Sequence, residues 1–334
     1  MARYLVTGAT GFIGGEVARQ LRAAGHQVVT IARDPARAES LVRLGIEVHR
    51  GDISDPATLE APMAGADGLF HVAAWYEIGA RDRSMAWRIN VEGTRNVLEA
   101  MHAARVPKGV YTSTLAVFGD THGKLVDEGY FHGGPWLTEY DRTKWAAHYE
   151  VAVPMMKQGL PLVIVQPGLV YGPGDHSELH EAFVRYLGRR LPAVPKGCEY
   201  CWGHVEDIAR AHVLAMERGR AGESYIVAGP RHSLIEAFAI AERVTGIPAP
   251  KLHPAPAVMR ALARVMGILE RVVPLPPSYT YEGLIVGAGV TYLGDNAKAR
   301  RELGYAPRSL EEGLRPTLEH EMRLRGMTSA RPIS

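Results

Sequence analysis

A turn of closely spaced glycines, Thr7-Gly8-Ala9-Thr10-Gly11-Phe12-Ile13-Gly14, lies between a short apolar strand pattern, Arg3 to Thr7, and a helical pattern, Gly14 to Ala24, that Gly25 ends. Few arrangements narrow the choice of fold as much. Glycines at this spacing permit a tight turn and let backbone N–H groups approach a pyrophosphate at the positive end of the following helix. A tight strand-to-helix turn without a ligand is the plainer reading, but the flanking strand and helix are the context that a phosphate-binding turn requires. The expected contacts are Gly8, Thr10, Gly11, Phe12, Ile13 and Gly14.

Strand patterns recur at Gln27 to Ala32, Glu47 to Arg50, Gly68 to Val72, Gly109 to Ser113 and Leu162 to Gln166, with helical patterns at Ala36 to Leu44, Asn90 to Ala104 and Glu139 to Lys157. This alternation predicts right-handed crossovers and an α/β fold of the Rossmann type, a doubly wound parallel sheet covered on both faces. Past Gly172 the alternation decays, and proline and glycine become dense at Leu191 to Gly197 and Ile247 to Pro277. Residues 1–172 therefore read as a dinucleotide-binding domain and 173–330 mainly as a smaller substrate-binding region, with segments near 203–228 returning to the first. Within the second, Ala257 to Val272 sets Arg260, Arg264 and Arg271 against Val258, Leu262, Val265, Met266 and Leu269. That amphipathic helix is expected to pack its apolar side on the protein body or to wall an apolar pocket.

Among 334 residues, 38 Lys and Arg balance 36 Asp and Glu, leaving +2. No broad field is available to attract nucleic acid. No uninterrupted apolar stretch is long enough for a membrane span, and the first residues lack a charged region followed by an apolar run, which points to the cytoplasm. Two cysteines, Cys198 and Cys201, have redox or half-zinc spacing without a second ligand pair, and His176 and His180 lack a third ligand. No metal site is expected.

The residues that carry chemistry cluster at strand ends. After the second strand, an acidic residue would bind a 2′-hydroxyl of NAD and an arginine a 2′-phosphate of NADP. Here Arg33, Asp34 and Arg37 stand together, so a phosphate clamp between Arg33 and Arg37 favours NADP(H), with NAD(H) possible and Asp34 also fit to cap the next helix. Asp52 in Gly51-Asp52-Ile53 suits the adenine amino group or an ordinary turn. Tyr140 and Lys144, at i and i+4, share one helix face, where an ammonium favours the phenolate of a nearby tyrosine. Thr112-Ser113-Thr114 ends a central strand and offers a hydroxyl to the same substrate oxygen. Trp75, Tyr76 and Trp136 are candidate aromatic walls, with half-buried packing under a loop the alternative.

Taken in order, the glycine turn, Gly51-Asp52-Ile53, His71-Val72-Ala73-Ala74, Asn90-Val91-Glu92-Gly93-Thr94, Tyr111-Thr112-Ser113-Thr114, the Tyr140/Lys144 pair, Pro167 through Pro173 and His204-Val205-Glu206-Asp207 resemble the motifs of extended short-chain dehydrogenases/reductases. The likeness runs from Tyr4 to about Asp207 and continues more loosely over Asn296 to Tyr305. Ala32-Arg33-Asp34-Pro35 and Phe70-His71-Val72-Ala73 most resemble dihydroflavonol reductase-like and 3β-hydroxysteroid dehydrogenase-like members. The resemblance implies Tyr140 as general acid/base, Lys144 as its activator and ribose ligand, and Thr114, where serine is usual, as the group that polarises a carbonyl. It implies Ile53, Ala73, Ala74, Thr112, Pro167 and Val170 around the cofactor and Asn90 in a positioning role. The implied activity is hydride transfer between a nicotinamide and a small molecule with a ketone or secondary alcohol. A sugar-nucleotide epimerase holding NAD tightly is the alternative, and a cofactor-sensing regulator is opposed by the intact triad. Leu115 and Ala116, where dehydratases carry acids, disfavour dehydration. The Asn90 to Ala104 and Glu139 to Lys157 helices resemble a pair that forms homodimers.

Overall fold

The computed structural model describes residues 1–80 and 82–327, so positions 328–330 of the expected second region lie outside the described residues. Seven strands form the main sheet: β1 (Arg3–Thr7), β2 (Gln27–Ala32), β3 (Glu47–Arg50), β4 (Gly68–His71), β5 (Gly109–Thr112), β6 (Leu162–Pro167) and, much later, β9 (Ser224–Val227). Their order is β3-β2-β1-β4-β5-β6-β9, with every neighbouring pair parallel. The chain winds outward from β1 to β3 and then crosses back to lay β4 on β1's other side, which opens a crevice at the carboxyl ends of β1 and β4.

Successive strand residues point to opposite faces, so buried parallel strands need apolar residues at nearly every position. Leu5, Leu69, Tyr111, Leu162 and Ile164 enter one core, while Val6, Phe70, Val110, Val163 and Val165 enter the other. The Phe12–Ala23 and Val205–Arg218 helices cover the second face, their Val17, Ala18, Ile208 and Ala209 joining its core. On the first lie Gly93–Ala103, continuous with Ser84–Trp87 and Arg88–Glu92, and Glu139–Ala146, continuous through Ala147–Ala152 to Val153–Lys157. Between β2 and β3 the expected single helix is a 3-10 turn, Pro35–Ala38, followed by a short helix, Glu39–Arg43.

A second sheet centres on β8 (Glu199–His204), flanked by β7 (Leu169–Tyr171), β10 (Arg231–Ser233) and β11 (Thr291–Tyr292). It starts with β7, before Gly172. Besides β9 and Val205–Arg218, the Ala297–Leu303 helix also returns to the first region, burying Ala299, Leu303 and Tyr305 in that core.

One expectation fails here. The Pro256–Leu269 helix packs on Leu284, Ile285 and Ala288 through a narrow seam of Met259, Ala263 and Met266. Its broader apolar stripe, Val258, Leu262, Val265 and Leu269, faces outward, exposed rather than packed on the protein body. The seam is narrow because the helix rests on the short Tyr281–Ile285 helix, with Gly267 against the Tyr281 ring.

Candidate active site

The glycine turn is shaped by backbone crowding. Gly8 has φ +75°, and a Cβ there would meet Ala73 Cα and N at 2.7 Å. A Cβ on Gly14 would lie 2.2 Å from the Gly8 carbonyl oxygen. Gly11 differs: its φ is −96°, open to any residue, and a Cβ would touch only the Gly8 oxygen at 3.3 Å. Protein packing therefore does not demand glycine at this N-cap, whereas a group lying over the helix start would. No side chain caps the Phe12–Ala23 helix and its first turn has no acid, so its N–H groups and positive end remain available to an anion. Thr10, exposed, precedes Gly11 on the outer side of the turn, and Phe12 and Ile13 supply the first-turn N–H groups.

Across the crevice, the Thr7 hydroxyl holds the opposite wall by accepting from the N–H groups of Val72 and Ala73 at 3.2 and 3.3 Å. It also bonds His71 Nδ1 at 2.8 Å, and His71 Nε2 reaches the Thr94 hydroxyl at 3.1 Å. Burial pushes His71 down to about 3, which leaves this relay neutral. The Ala73-Ala74 backbone thereby faces the glycine turn.

Just past β2, Arg33 and Arg37 are both exposed. The Asp34 carboxylate accepts from Ala36 N–H at 3.1 Å and lies 3.7 Å from Arg37 Nε, so it serves as the helix cap. The Arg33 guanidinium makes no hydrogen bond or ion pair among the described residues. Asp52 closes a turn through Oδ1 to Ser54 N–H at 2.9 Å, and Ile53 sends its side chain into the core against Gly93.

Thr114, Tyr140 and Lys144 converge at the end of β5. Thr114 is extended and its Oγ1 accepts from Ala116 N–H at 3.2 Å, which leaves its proton free on the side of the Tyr140 phenol. Thr138 caps the Tyr140 helix by accepting from Asp141 N–H. One turn on, the buried Lys144 ammonium donates to the Thr112 carbonyl at 2.8 Å and the Tyr111 hydroxyl at 3.3 Å. Burial depresses it to about 7 and pushes the Tyr140 phenol above its ordinary value despite the nearby Thr114 hydroxyl. The expected lowering of the phenol by a neighbouring cation does not act in this arrangement: Lys144 faces the backbone of β5, and desolvation dominates. Pro167 ends β6 and Val170 lies on β7, next along the same crevice.

Asn90 locks two parts of the site together. Its Oδ1 accepts from Trp75 N–H at 2.7 Å, while its Nδ2 donates to the Trp75 carbonyl and the Thr143 hydroxyl, both at 3.0 Å. Of the three aromatic candidates, only Tyr76 meets Tyr140, edge to face at 4.9 Å, with its hydroxyl donating to Glu178 at 3.1 Å. Trp75 packs on the core, and Trp136 lies tilted against Trp145 at 5.2 Å between ring centres. Their backbone ties and aromatic neighbours draw them away from the phenol.

Some groups here carry no local signal. Asp141, inside the Tyr140/Lys144 frame, is buried, accepts from the Tyr292 hydroxyl at 3.0 Å and is raised by burial to about 7. Its i+1 position reads as an ordinary first-turn acid, and its partner lies 151 residues away. The Ser113 hydroxyl bonds buried His148 at 2.8 Å. Cys198 and Cys201 are buried free thiols near the carbonyls of Val286 and Gly294, and His180 pairs with Glu321 at 3.2 Å.

Residues 4–228 match the family described as NAD dependent epimerase/dehydratase. The chain belongs to that family. A putative dihydroflavonol 4-reductase of Synechocystis sp. is 35% identical over 324 residues, 93% of this chain and 92% of that one. Sterol demethylase protein B of Methylococcus capsulatus is 30% identical, covering 91% and 94% respectively. The crystal structure of gox2253 superposes with a TM-score of 0.82 at 31% identity, spanning 98% of this chain and all of that one. Three relatives named as reductases match over more than nine-tenths of their length, and the chain is an enzyme of this NAD(P)-binding group. No helix among the described residues is long and apolar enough to cross a membrane.

Proposed function

We propose that the protein is an NADP(H)-preferring oxidoreductase that interconverts a ketone and a secondary alcohol. The observation that carries this reading is the Thr114–Tyr140 hydroxyl pair with Lys144 one helical turn on, set beside a glycine turn whose Gly11 is bare for no reason of packing. The Gly8–Gly14 backbone would hold the pyrophosphate, Arg33 and Arg37 the 2′-phosphate, Asp52 the adenine edge, Lys144 the nicotinamide ribose, and Ala73, Ala74, Thr112, Pro167 and Val170 the remaining walls. Bound there, the nicotinamide supplies or accepts a hydride at the substrate carbon.

The protein's own part is proton transfer and polarisation. Thr114 and Tyr140 direct two hydroxyl groups at one substrate oxygen. Because burial raises the Tyr140 phenol, it stands protonated at neutral pH and can donate to the oxygen that becomes an alcohol as the carbon is reduced. Reduction is the direction this resting state serves. The Glu178 carboxylate bonds the Tyr76 phenol, which packs on Tyr140, and a carboxylate there opposes a nucleotide diphosphate and favours an uncharged substrate. The sterol and dihydroflavonol in the relatives' names are fused-ring bodies, and the Tyr76 face suits such a ring. We further read the molecule as a homodimer built on the Gly93–Ala103 and Glu139–Lys157 helices, to be checked by light scattering.

Tyr140→Phe tests the chemistry. Turnover of ketones with NADPH should be abolished, with cofactor affinity nearly unchanged; comparable turnover in the variant sinks the assignment.

A further inference from the structure

The Pro256–Leu269 helix has 14 residues and three faces. Met259, Ala263 and Met266 point inward, Arg260 and Arg264 form a basic face that Arg271 extends, and Val258, Leu262, Val265 and Leu269 form an apolar face with nothing on it. Val258 is 58% exposed, Val265 61%, Ile268 67% and, just beyond the helix, Val272 81%. Single exposed apolar residues are ordinary, but a contiguous stripe marks an interaction surface.

We propose that this face docks on an anionic lipid bilayer. The exposed charged groups along this segment are Arg260, which also donates to the Ala288 carbonyl at 3.1 Å, Arg264 and Arg271, while the Glu270 carboxylate is engaged by Tyr281 N–H at 2.9 Å. A second copy meeting this face across a two-fold axis would bring the same cations together, whereas anionic headgroups complement them. The helix is about 21 Å long, too short to span, and lies in the interface plane with its apolar face down. The helix is tied to the cleft through its covered side: Gly267 rests on Tyr281, and the next residue, Glu282, accepts from the N–H groups of Gly79 and of Glu139, which begins the Tyr140 helix. A docked molecule would hold the rim of its cleft beside the bilayer, where apolar compounds concentrate. The docking itself does not depend on the redox reading.

Flotation of the full chain with vesicles tests it. Vesicles of equal parts phosphatidylglycerol and phosphatidylcholine should bind at least tenfold more protein than pure phosphatidylcholine, and high salt should reduce the difference. Replacing the stripe with Val258→Ser, Leu262→Gln, Val265→Ser and Leu269→Gln should lower binding at least tenfold without changing turnover of a water-soluble ketone. Arg264→Gln with Arg271→Gln, on exposed side chains that bear no packing, reads the electrostatic part alone and should lower binding about tenfold or more. Failure of the unaltered chain to float with anionic vesicles, or equal flotation of the stripe variant, overturns the proposal. So does a stripe variant that turns a dimer into a monomer in sedimentation while vesicle binding is unchanged, since the face would then belong to a second copy.

Discussion

Replacing Gly11 and Gly14 separately by alanine should divide cofactor binding from folding. At Gly14 the new methyl group would lie 2.2 Å from the Gly8 oxygen and 2.6 Å from its carbon, inside a buried turn. Such overpacking against backbone costs about 1–3 kcal/mol or more, and the whole turn must shift. At Gly11 the methyl meets one oxygen at 3.3 Å in a backbone conformation open to alanine. Its stability change should stay within about 1 kcal/mol, the scale of an N-cap substitution. The same methyl, however, fills the approach to the first-turn N–H groups. Losing two hydrogen bonds to a phosphate, at about 1.5–3 kcal/mol each, removes about 3–6 kcal/mol of binding, or roughly a hundredfold to ten-thousandfold in Kd. Thermal unfolding and NADPH titration by nicotinamide fluorescence read the two effects. Gly11→Ala should melt close to the parent yet fail to bind, and Gly14→Ala should melt well below it. A Gly11→Ala protein with Kd within threefold of the parent would refute the cradle.

Arg33→Ala should weaken NADPH at least tenfold and NADH less than threefold, as measured by the same titration; equal losses contradict the phosphate clamp. Asn90→Ala leaves the Trp75 N–H and carbonyl without their partner, at about 1–3 kcal/mol per unsatisfied group, so unfolding temperature should drop and kcat fall at least tenfold with cofactor Kd little changed. Unaltered kcat would show that the tie does not position the Tyr140 helix. For Asp141, burial raises the folded carboxyl to about 7, above its unfolded value, so the folded state binds the extra proton and its stability contribution is lost as pH rises toward 7. Asp141→Asn, neutral throughout, should therefore gain on the parent between pH 5 and pH 8, with the difference in unfolding temperature widening by at least about 4 °C. A difference that stays constant across that range would show that the carboxyl is already ionised at pH 5.

Much of the fold was legible because its signals are local. Apolar runs at strand length, helical periods between them and glycines at a strand-to-helix junction state the parallel sheet and its phosphate turn without reference to distant residues. The Tyr140/Lys144 pair was legible for the same reason, since i and i+4 share a helix face whatever surrounds it. What surrounds it was not. Lys144 turns to the β5 backbone and Tyr140 meets Tyr76 while Trp75 and Trp136 turn away, because chain closure between loops far apart in sequence selects each neighbour. Asp141 became a buried acid only when β11 brought Tyr292 to it. The Pro256–Leu269 helix draws the same line: its period announced two chemical faces, but which face would be covered depended on a partner element that its own residues do not specify. Local spacing determines element type and the residues that share a face; only tertiary packing decides which face meets protein and how far burial moves the charge of each group.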